Sequence, residues 1–267
     1  MPERLTAPAA WAALMYHELA APGRALADDG AGYAVYCVAR DAFREHLRAL
    51  SEAGLQGRSI GGALASGDGT VAITFDDGCE TDFTEAAPLL RERGFGATFF
   101  VIAGQVGRRG HLGAGQLRAL AAAGFEIGSH SLTHRMLTAL APDELHRELA
   151  GSRARLEDSV GARVAHLSCP HGRWSRAIAA AAVRAGYETV STSAAGLNDA
   201  STPPTRLRRI AVQRGATPDE VAALARGRAL WRRIARDAAL DAGKRLLGEA
   251  TYVTVRERLL GRGRRSG

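Results

Sequence analysis

The stretch Val71-Ala-Ile-Thr-Phe-Asp-Asp-Gly78 joins an apolar run to two adjacent carboxylates and a glycine. The β-branched and aromatic residues of the run predict a buried strand, and Asp-Gly is common turn chemistry. In parallel α/β folds, functional groups gather where strands end. Neighbouring carboxylates repel each other, so one of them needs a cation or a proton. The stretch alone therefore fits a functional strand end, a tight turn or a helix cap.

Six further apolar runs predict strands, and helical patterns follow most of them. The runs lie at 12–16, 97–102, 125–128, 164–169, 189–192 and 207–212. Helical patterns at 82–93, 115–123 and 142–159 each stop beside a glycine, which is a frequent helix end. This alternation predicts an α/β fold of about seven parallel strands connected by helices. Periodicity does not decide between a barrel and an open sheet.

The charge is concentrated at one end of the chain. Of 267 residues, 46% are hydrophobic, which suffices for the core of one large domain. The segment 226–267 holds twelve of the 35 Lys and Arg residues but four of the 28 Asp and Glu residues, so 1–225 is close to neutral although the whole chain carries +7. We therefore predict a main domain over 1–225 and a basic amphipathic helical tail over 226–267.

Several observations bear on where the protein works. The chain has no run of eighteen apolar residues and no signal-peptide pattern at its N-terminus, so we predict neither a spanning helix nor a leader. Three cysteines without a disulfide or zinc-knuckle pattern predict reduced thiols and a cytoplasmic protein. The basic tail is a candidate contact with the inner face of the membrane, or a helix packed on the domain. Nucleic acid is not expected as a partner, because no recognition motif accompanies the charge.

A second polar segment, Ile127-Gly-Ser-His130-Ser-Leu-Thr-His134, also follows a predicted strand. On a helical turn, histidines four residues apart would point the same way. Two imidazole nitrogens and one carboxylate oxygen make a three-ligand zinc site that keeps a position open for water and substrate. Such a pair is equally common on a solvated helix face, so its spacing alone leaves both interpretations open.

In this order, the T-F-D-D-G and H-S-x-x-H motifs resemble those of the polysaccharide deacetylase family, also called NodB-homology or carbohydrate esterase family four. The resemblance covers about residues 10–215 and implies a distorted (β/α) barrel of about seven strands. It implies that Asp77, His130 and His134 bind a divalent metal, with Zn²⁺ expected and Co²⁺, Ni²⁺ or Mn²⁺ as alternatives. It also implies that Asp76 is the catalytic base that deprotonates a metal-bound water.

A third segment, Leu167-Ser-Cys-Pro-His-Gly-Arg-Trp174, resembles the proline-aromatic-glycine loop on the far side of the family's groove. Three of its residues are candidate substrate-binding contacts: Pro170, His171 and Trp174. The arginine that often precedes the proline and orients the base is replaced by Ser168. We hypothesise that Arg173 takes its place. A strand that ends in a Pro-Gly turn would explain the segment without a function.

The family's last motif, leucine-x-histidine, supplies the general acid that protonates the leaving amine. No histidine follows His171, and the corresponding segment is Arg206-Leu-Arg-Arg-Ile210. The expected replacement is His17, which closes the first apolar run, because the first and last strands of a barrel are neighbours. Some deacetylases that act on poly-N-acetylglucosamine are similarly rearranged, with an M-Y-H segment near the N-terminus. His171 is the alternative acid.

The sequence thus predicts a metal-dependent hydrolase that removes N-acetyl groups from N-acetylhexosamine units of a polysaccharide or glycan intermediate, as in exopolysaccharide biosynthesis. Its catalytic domain would be 1–225 and its partner an N-acetylated glycan. One alternative is hydrolysis of another C–N bond, in a cyclic amide or formamide, on the same scaffold. The other is a catalytically silent carbohydrate-binding protein, which the missing arginine and relocated histidine suggest. The complete set of ligand residues favours an enzyme.

Overall fold

The computed structural model describes residues 10–28, 30–66, 69–228, 230–231 and 234–235, so nearly all of the predicted basic tail lies outside the described residues. The strands are β1 (Trp11–Tyr16), β2 (Leu19–Ala20), β3 (Val38–Ala39), β4 (Gln56–Arg58), β5 (Thr70–Phe75), β6 (Thr98–Val101), β7 (Glu126–Ser129), β8 (His166–Ser168), β9 (Thr189–Ser191), β10 (Leu197–Asn198) and β11 (Ile210–Ala211). The α-helices are α1 (Ala31–Ala34), α2 (Arg40–Glu52), α3 (Ile60–Ser66), α4 (Ala87–Glu92), α5 (Ala114–Ala122), α6 (Pro142–Val160), α7 (Arg176–Arg184) and α8 (Pro218–Ala225).

One sheet contains most of the strands, in the order β10-β1-β5-β6-β7-β8-β9, with β4 also paired to β5 and β11 to β1. All seven predicted strands are present, and the predicted α/β class is confirmed. One strand departs from the parallel arrangement, because β10 runs antiparallel to β1. Residues 192–196, which connect β9 to β10, are too few for the crossover that a parallel return requires.

The sheet curls so that its two ends meet at the segment 207–212. The backbone N–H of Leu207 donates to the carbonyl of Val190 in β9 at 2.8 Å. The N–H of Val212 donates to the carbonyl of Met15 in β1 at 2.9 Å. The segment that contains β11 therefore lies between β9 and β1. This arrangement gives the distorted barrel, and it confirms that the first and last predicted strands are neighbours.

The predicted helices are also found, with small differences at their ends. A π-helical turn, Asp82–Ala86, precedes α4. Gly161 follows the last residue of helix α6 and caps it, with a φ of 74°, the left-handed conformation that glycine adopts freely at a helix end. No helix in the described part of the chain combines the length and the apolar character needed to cross a membrane.

The central strands β1 and β5 are buried along their whole length, as expected for parallel strands covered on both faces. Aromatic rings link neighbouring strands: Phe75 packs against Tyr16 and against Phe99, with ring centroids 5.4 and 5.3 Å apart. Such close packing fixes the strands relative to one another. The polar motifs follow the carboxyl ends of β1, β5, β7 and β8, so they lie at the same edge of the sheet.

Candidate active site

The two adjacent aspartates follow β5 in a sharp turn. Asp77 has a φ of 79° and Gly78 a φ of 69°, a conformation that Asp tolerates and Gly adopts freely. A Cβ atom on Gly78 would lie 2.8 Å from Cγ1 of Val101, so a larger residue does not fit without a shift. The chain therefore reverses directly after Asp76, and the two carboxylates meet different partners.

The two histidines of the second motif lie on a loop after β7, not on a helical turn. Ser131 and His134 have φ values of 64° and 62°, which a helix does not allow. The buried carboxylate of Glu148, from α6, accepts hydrogen bonds from the N–H groups of residues 132–133 at 3.0 and 2.9 Å. These bonds replace the helical ones and hold His130 and His134 in place.

The loop brings both imidazoles to Asp77. Nε2 of His130 and Nε2 of His134 each lie 3.6 Å from Oδ1 of Asp77, and the three ligand atoms are within 4.8 Å of one another. Tetrahedral zinc with bonds of about 2.1 Å separates its ligand atoms by about 3.4 Å. Nδ1 of His130 donates to the carbonyl oxygen of Ser168 at 3.0 Å, which leaves its Nε2 lone pair for a metal. The donor set therefore fits a divalent ion.

The pKa values of these groups agree with that fit. Burial lowers the pKa of His130 to about 3 and also lowers that of His134, so both imidazoles are neutral and able to act as ligands. The pKa of Asp77 is raised to about 6, chiefly by burial, and the neighbouring charge of Asp76 raises it further. A bound cation would offset this unfavourable negative charge.

Asp76 makes a bidentate ion pair with Arg209, a residue that sequence reasoning missed. Nη1 and Nη2 of the fully buried guanidinium donate to Oδ1 and Oδ2 at 2.7 and 2.8 Å, and the Ser168 hydroxyl donates to Oδ2 at 3.2 Å. Burial alone would raise the pKa of Asp76, but the charge and hydrogen bonds of Arg209, together with the neighbouring imidazoles of His130 and His17, outweigh burial and hold the pKa below its usual range. The hypothesis that Arg173 takes this place is wrong.

Further contacts fix Arg209 itself. Its Nε donates to the carbonyl of Thr192 at 3.0 Å, and its Nη atoms donate to the hydroxyls of Thr74 and Ser168 at 3.2 and 2.7 Å.

The sequence contained a signal for the buried role of Arg209. An arginine inside a predicted strand next to the first strand must either be exposed at an edge or be paired with a buried carboxylate.

The two candidate acids have different neighbours. His17 directly follows β1, and a positive charge on its imidazole lowers the pKa of both Asp76 and Asp77. Its Nδ1 atom is enclosed and has no hydrogen-bond partner among the described residues. His171 is exposed, has a φ of 57°, and its ring centroid lies 4.9 Å from that of His134. Both histidines are thus close to the predicted metal ligands.

The other two predicted substrate contacts help to shape the loop after β8. Pro170 is buried and begins the 3-10 turn Pro170–Gly172. The indole N–H of Trp174 donates to the carbonyl of Thr205 at 2.7 Å, and the guanidinium of Arg206 lies 4.7 Å from its ring centroid. The loop therefore presents His171 to solvent while Pro170 packs inside.

A further buried carboxyl group lies close to the site and leads to a stability prediction. Asp82 is fully buried, and neither of its carboxylate oxygens has a hydrogen-bond partner in the part of the chain that the structure describes. Burial raises its pKa well above the usual value, and the charges of Asp77 and Glu18 add to the shift. A carboxyl group with a raised folded pKa costs stability as the pH rises above its unfolded pKa of about 4.

We therefore expect the unfolding temperature of Asp82→Asn, relative to the parent, to increase with pH from about 4 upward, by roughly 3 °C for each 1 kcal/mol gained. Calorimetry of both proteins at several pH values would measure this difference. A difference that stays constant or shrinks as the pH rises would contradict a neutral, buried Asp82.

Comparisons with known proteins give consistent matches. Residues 64–190 match the family model described as polysaccharide deacetylase. Over 133 residues, 48% of the chain, the sequence is 34% identical to a chitooligosaccharide deacetylase of Bradyrhizobium sp. (strain ANU 289), of which the match covers 58%. The chain spans between 52% and 59% of the length of the first curated relatives that it matches.

Two solved structures share the fold. The Streptococcus pyogenes deacetylase PplD, in complex with acetate, matches with a TM-score of 0.71 and 23% identity, over 82% of this chain and 99% of that one. IcaB from Ammonifex degensii matches with a TM-score of 0.69 and 25% identity, over 81% and 97%. The likeness extends over about four fifths of the chain.

Proposed function

We propose that the chain is a metal-dependent hydrolase of N-acetyl groups on N-acetylhexosamine units of a polysaccharide or glycan intermediate. The match of residues 64–190 to the polysaccharide deacetylase family model supports this proposal. One observation carries the proposal. The ligand atoms of Asp77, His130 and His134 lie within 4.8 Å of one another. A second carboxylate, Asp76, lies beside them and is held by Arg209. A protein that only bound carbohydrate would not need a separate, fixed base beside the metal ligands.

Asp77, His130 and His134 are the residues that would hold the ion. Two nitrogen ligands and one oxygen ligand suit Zn²⁺ first, and Co²⁺, Ni²⁺ or Mn²⁺ would also accept them. When bound, a divalent ion supplies Lewis acidity, which polarises the amide carbonyl and makes water more acidic. The remaining steps of the reaction fall to side chains of this chain.

Asp76 is suited to accept the proton of the attacking water. Its Oδ2 atom lies 3.9 Å from Nε2 of His130, so it is adjacent to the ligand atoms. Arg209 keeps it ionised and in one orientation. Hydrogen bonds from Arg209 and Ser168 occupy both lone pairs of Oδ2 and one of Oδ1, which leaves the second lone pair of Oδ1 for water. As the C–N bond breaks, the leaving amine takes a proton from a general acid. The products are acetate and a free amine. We assign this acid role to His17.

The metal ligands give the first test of the proposal. We expect His130→Ala and His134→Ala to lose bound metal and activity together, because the loss of one of three ligands leaves a weak, open site. Elemental analysis of the purified variants would measure metal per chain. His146→Ala, on the exposed side of α6, is the matched control and should keep its metal. One equivalent of metal in both ligand variants would contradict the assignment.

The acid assignment predicts a dependence on the leaving group. We expect His17→Ala to keep its metal and to lose about 10²-fold in turnover on an N-acetylated glycan, the usual size of a general-acid contribution. An activated acetyl ester should suffer much less, because its leaving group needs little protonation. If His17→Ala hydrolyses the glycan at the parent rate while His171→Ala does not, His171 is the acid.

The substrate class can be tested separately. Acetate release from N-acetylglucosamine oligomers, compared with hydrolysis of cyclic amides and formamides, would distinguish the proposed activity from other C–N hydrolysis on this scaffold. We expect turnover of the N-acetylated oligomers. Turnover of only the cyclic amides or formamides would replace the proposal, and binding of oligomers by metal-loaded protein without turnover would indicate a carbohydrate-binding protein.

A further inference from the structure

Between β2 and β3 the chain forms a small cap, residues 21–28 and 30–37, beside the candidate site. Hydrogen bonds connect the cap to Glu18, the buried residue that follows His17. The Tyr33 hydroxyl and the N–H of Ala27 donate to Oε2 of Glu18 at 3.0 and 2.8 Å. The cap also contacts the turn that follows Asp76 and Asp77, where the Tyr33 hydroxyl lies 3.1 Å from Sγ of Cys79. An ion pair joins Arg24 of the cap to Glu80.

This cap places an aromatic ring on the proposed acid. The ring of Tyr36 lies over that of His17, with centroids 4.9 Å apart and planes inclined by 30°. This is the separation at which aromatic rings attract each other. The cap is held at several points, so the position of Tyr36 relative to His17 is set by the fold.

His17 needs such a contact more than most catalytic histidines do. A hydrogen bond from one ring nitrogen usually fixes the orientation and tautomer of a histidine that works through the other. Nδ1 of His17 is enclosed but has no such partner within the described residues. Because His17 is half-buried and Nδ1 is the enclosed nitrogen, the Nε2 side of the ring is the part that can face a substrate. The orientation of the His17 imidazole therefore depends on packing against neighbouring side chains.

We propose that Tyr36 is a positioning residue for His17: its ring holds the imidazole so that the Nε2 side faces the leaving amine. This inference rests on the role given to His17 in the proposed function. The phenol hydroxyl is not needed for this task, whereas the aromatic face is. A catalytic group that can rotate away spends part of its time unable to transfer a proton, so loss of the face slows the step that needs the acid.

Three variants test this role through a comparison of substrates. We expect Tyr36→Ala to lose about 10-fold in turnover of an N-acetylated glucosamine oligomer, which is part of the general-acid contribution, and to hydrolyse an activated acetyl ester within about twofold of the parent. Tyr36→Phe keeps the face and should restore the parent ratio of the two rates. Ala25→Ser, at an exposed position of the same cap, should also keep that ratio. Each variant must retain metal and its unfolding temperature. Tyr36→Leu replaces the alanine variant if the latter is unstable.

The same substitution in a His17→Ala background separates the two hypotheses. We expect Tyr36→Ala to cause no further loss there, because the group that it positions is gone. If Tyr36→Ala slows the oligomer and the ester equally, or slows the oligomer further without His17, Tyr36 acts in another way and the inference is overturned. If His17→Ala slows the oligomer but Tyr36→Ala does not, the inference alone fails. If His17→Ala has no effect, both the assignment of His17 as the acid and the inference about Tyr36 fail.

Discussion

Asp76→Asn is expected to keep its bound metal and to lose roughly 10³-fold in turnover, because an amide oxygen cannot take up a proton from water near neutral pH. The substitution preserves the size of the side chain and one acceptor for the Arg209 guanidinium. Steady-state kinetics on an N-acetylglucosamine oligomer, with metal per chain measured on the same samples, would show whether chemistry and metal binding separate at this position.

Asp77→Asn is the matched comparison, because it makes the same change one residue further along. It should weaken metal binding, since Oδ1 of Asp77 lies 3.6 Å from Nε2 of both histidines. Added metal at high concentration should then restore part of its activity, as mass action requires. If Asp76→Asn loses the metal and Asp77→Asn retains it, the two roles must be exchanged.

Arg209→Leu is expected to destabilise the protein by about 3–5 kcal/mol, because it leaves the carboxylate of Asp76 buried without its cation. Arg209 is fully buried and donates to both Asp76 oxygens, so neither water nor a neighbouring arginine can replace it easily. Urea unfolding of the parent and the variant would measure the difference. Arg209→Lys should recover only part of it, since an ammonium cannot form the two parallel hydrogen bonds.

The double variant Arg209→Leu/Asp76→Asn distinguishes an unpaired charge from a simple cavity. Replacing the carboxylate with a neutral amide removes the buried charge, so the double variant should be more stable than Arg209→Leu alone. A double variant that is less stable by the sum of the two single effects would show that the ion pair is not the source of the loss.

The strands and the proposed metal ligands could be predicted from the sequence because each depends on a short, local pattern. Asp77 is next to the end of a buried apolar run, and His130 and His134 are within one motif that follows another. Parallel strands bring their carboxyl ends to one edge, so residues far apart in sequence become neighbours once the strands are recognised. No knowledge of side-chain contacts was needed for this step.

Arg209 could not be assigned in the same way, because its partner Asp76 is 133 residues away and the pair depends on how the barrel closes. The segment 207–212 could be predicted as a strand, but not the inward direction of one particular arginine. The conformation of the His130 loop could not be predicted for a different reason. Its left-handed residues and its hydrogen bonds to Glu148 come from tertiary contacts that override the helical spacing of the two histidines.

The cap was missed because its regular elements are very short. Helix α1 has four residues and strands β2 and β3 have two each, so no periodicity signals them. The antiparallel strand β10 is equally short. Contacts such as that of Tyr36 with His17 are visible only in three dimensions, although they surround the proposed acid.

The most direct test of a metal-dependent deacetylase is activity after removal and return of the metal. Protein treated with a chelator and then dialysed should release no acetate from N-acetylglucosamine oligomers. Zn²⁺, Co²⁺, Ni²⁺ or Mn²⁺ added singly should restore release, with one ion bound per chain of the parent and none in His130→Ala. Acetate release at the parent rate by protein shown by elemental analysis to contain no metal would contradict the central claim.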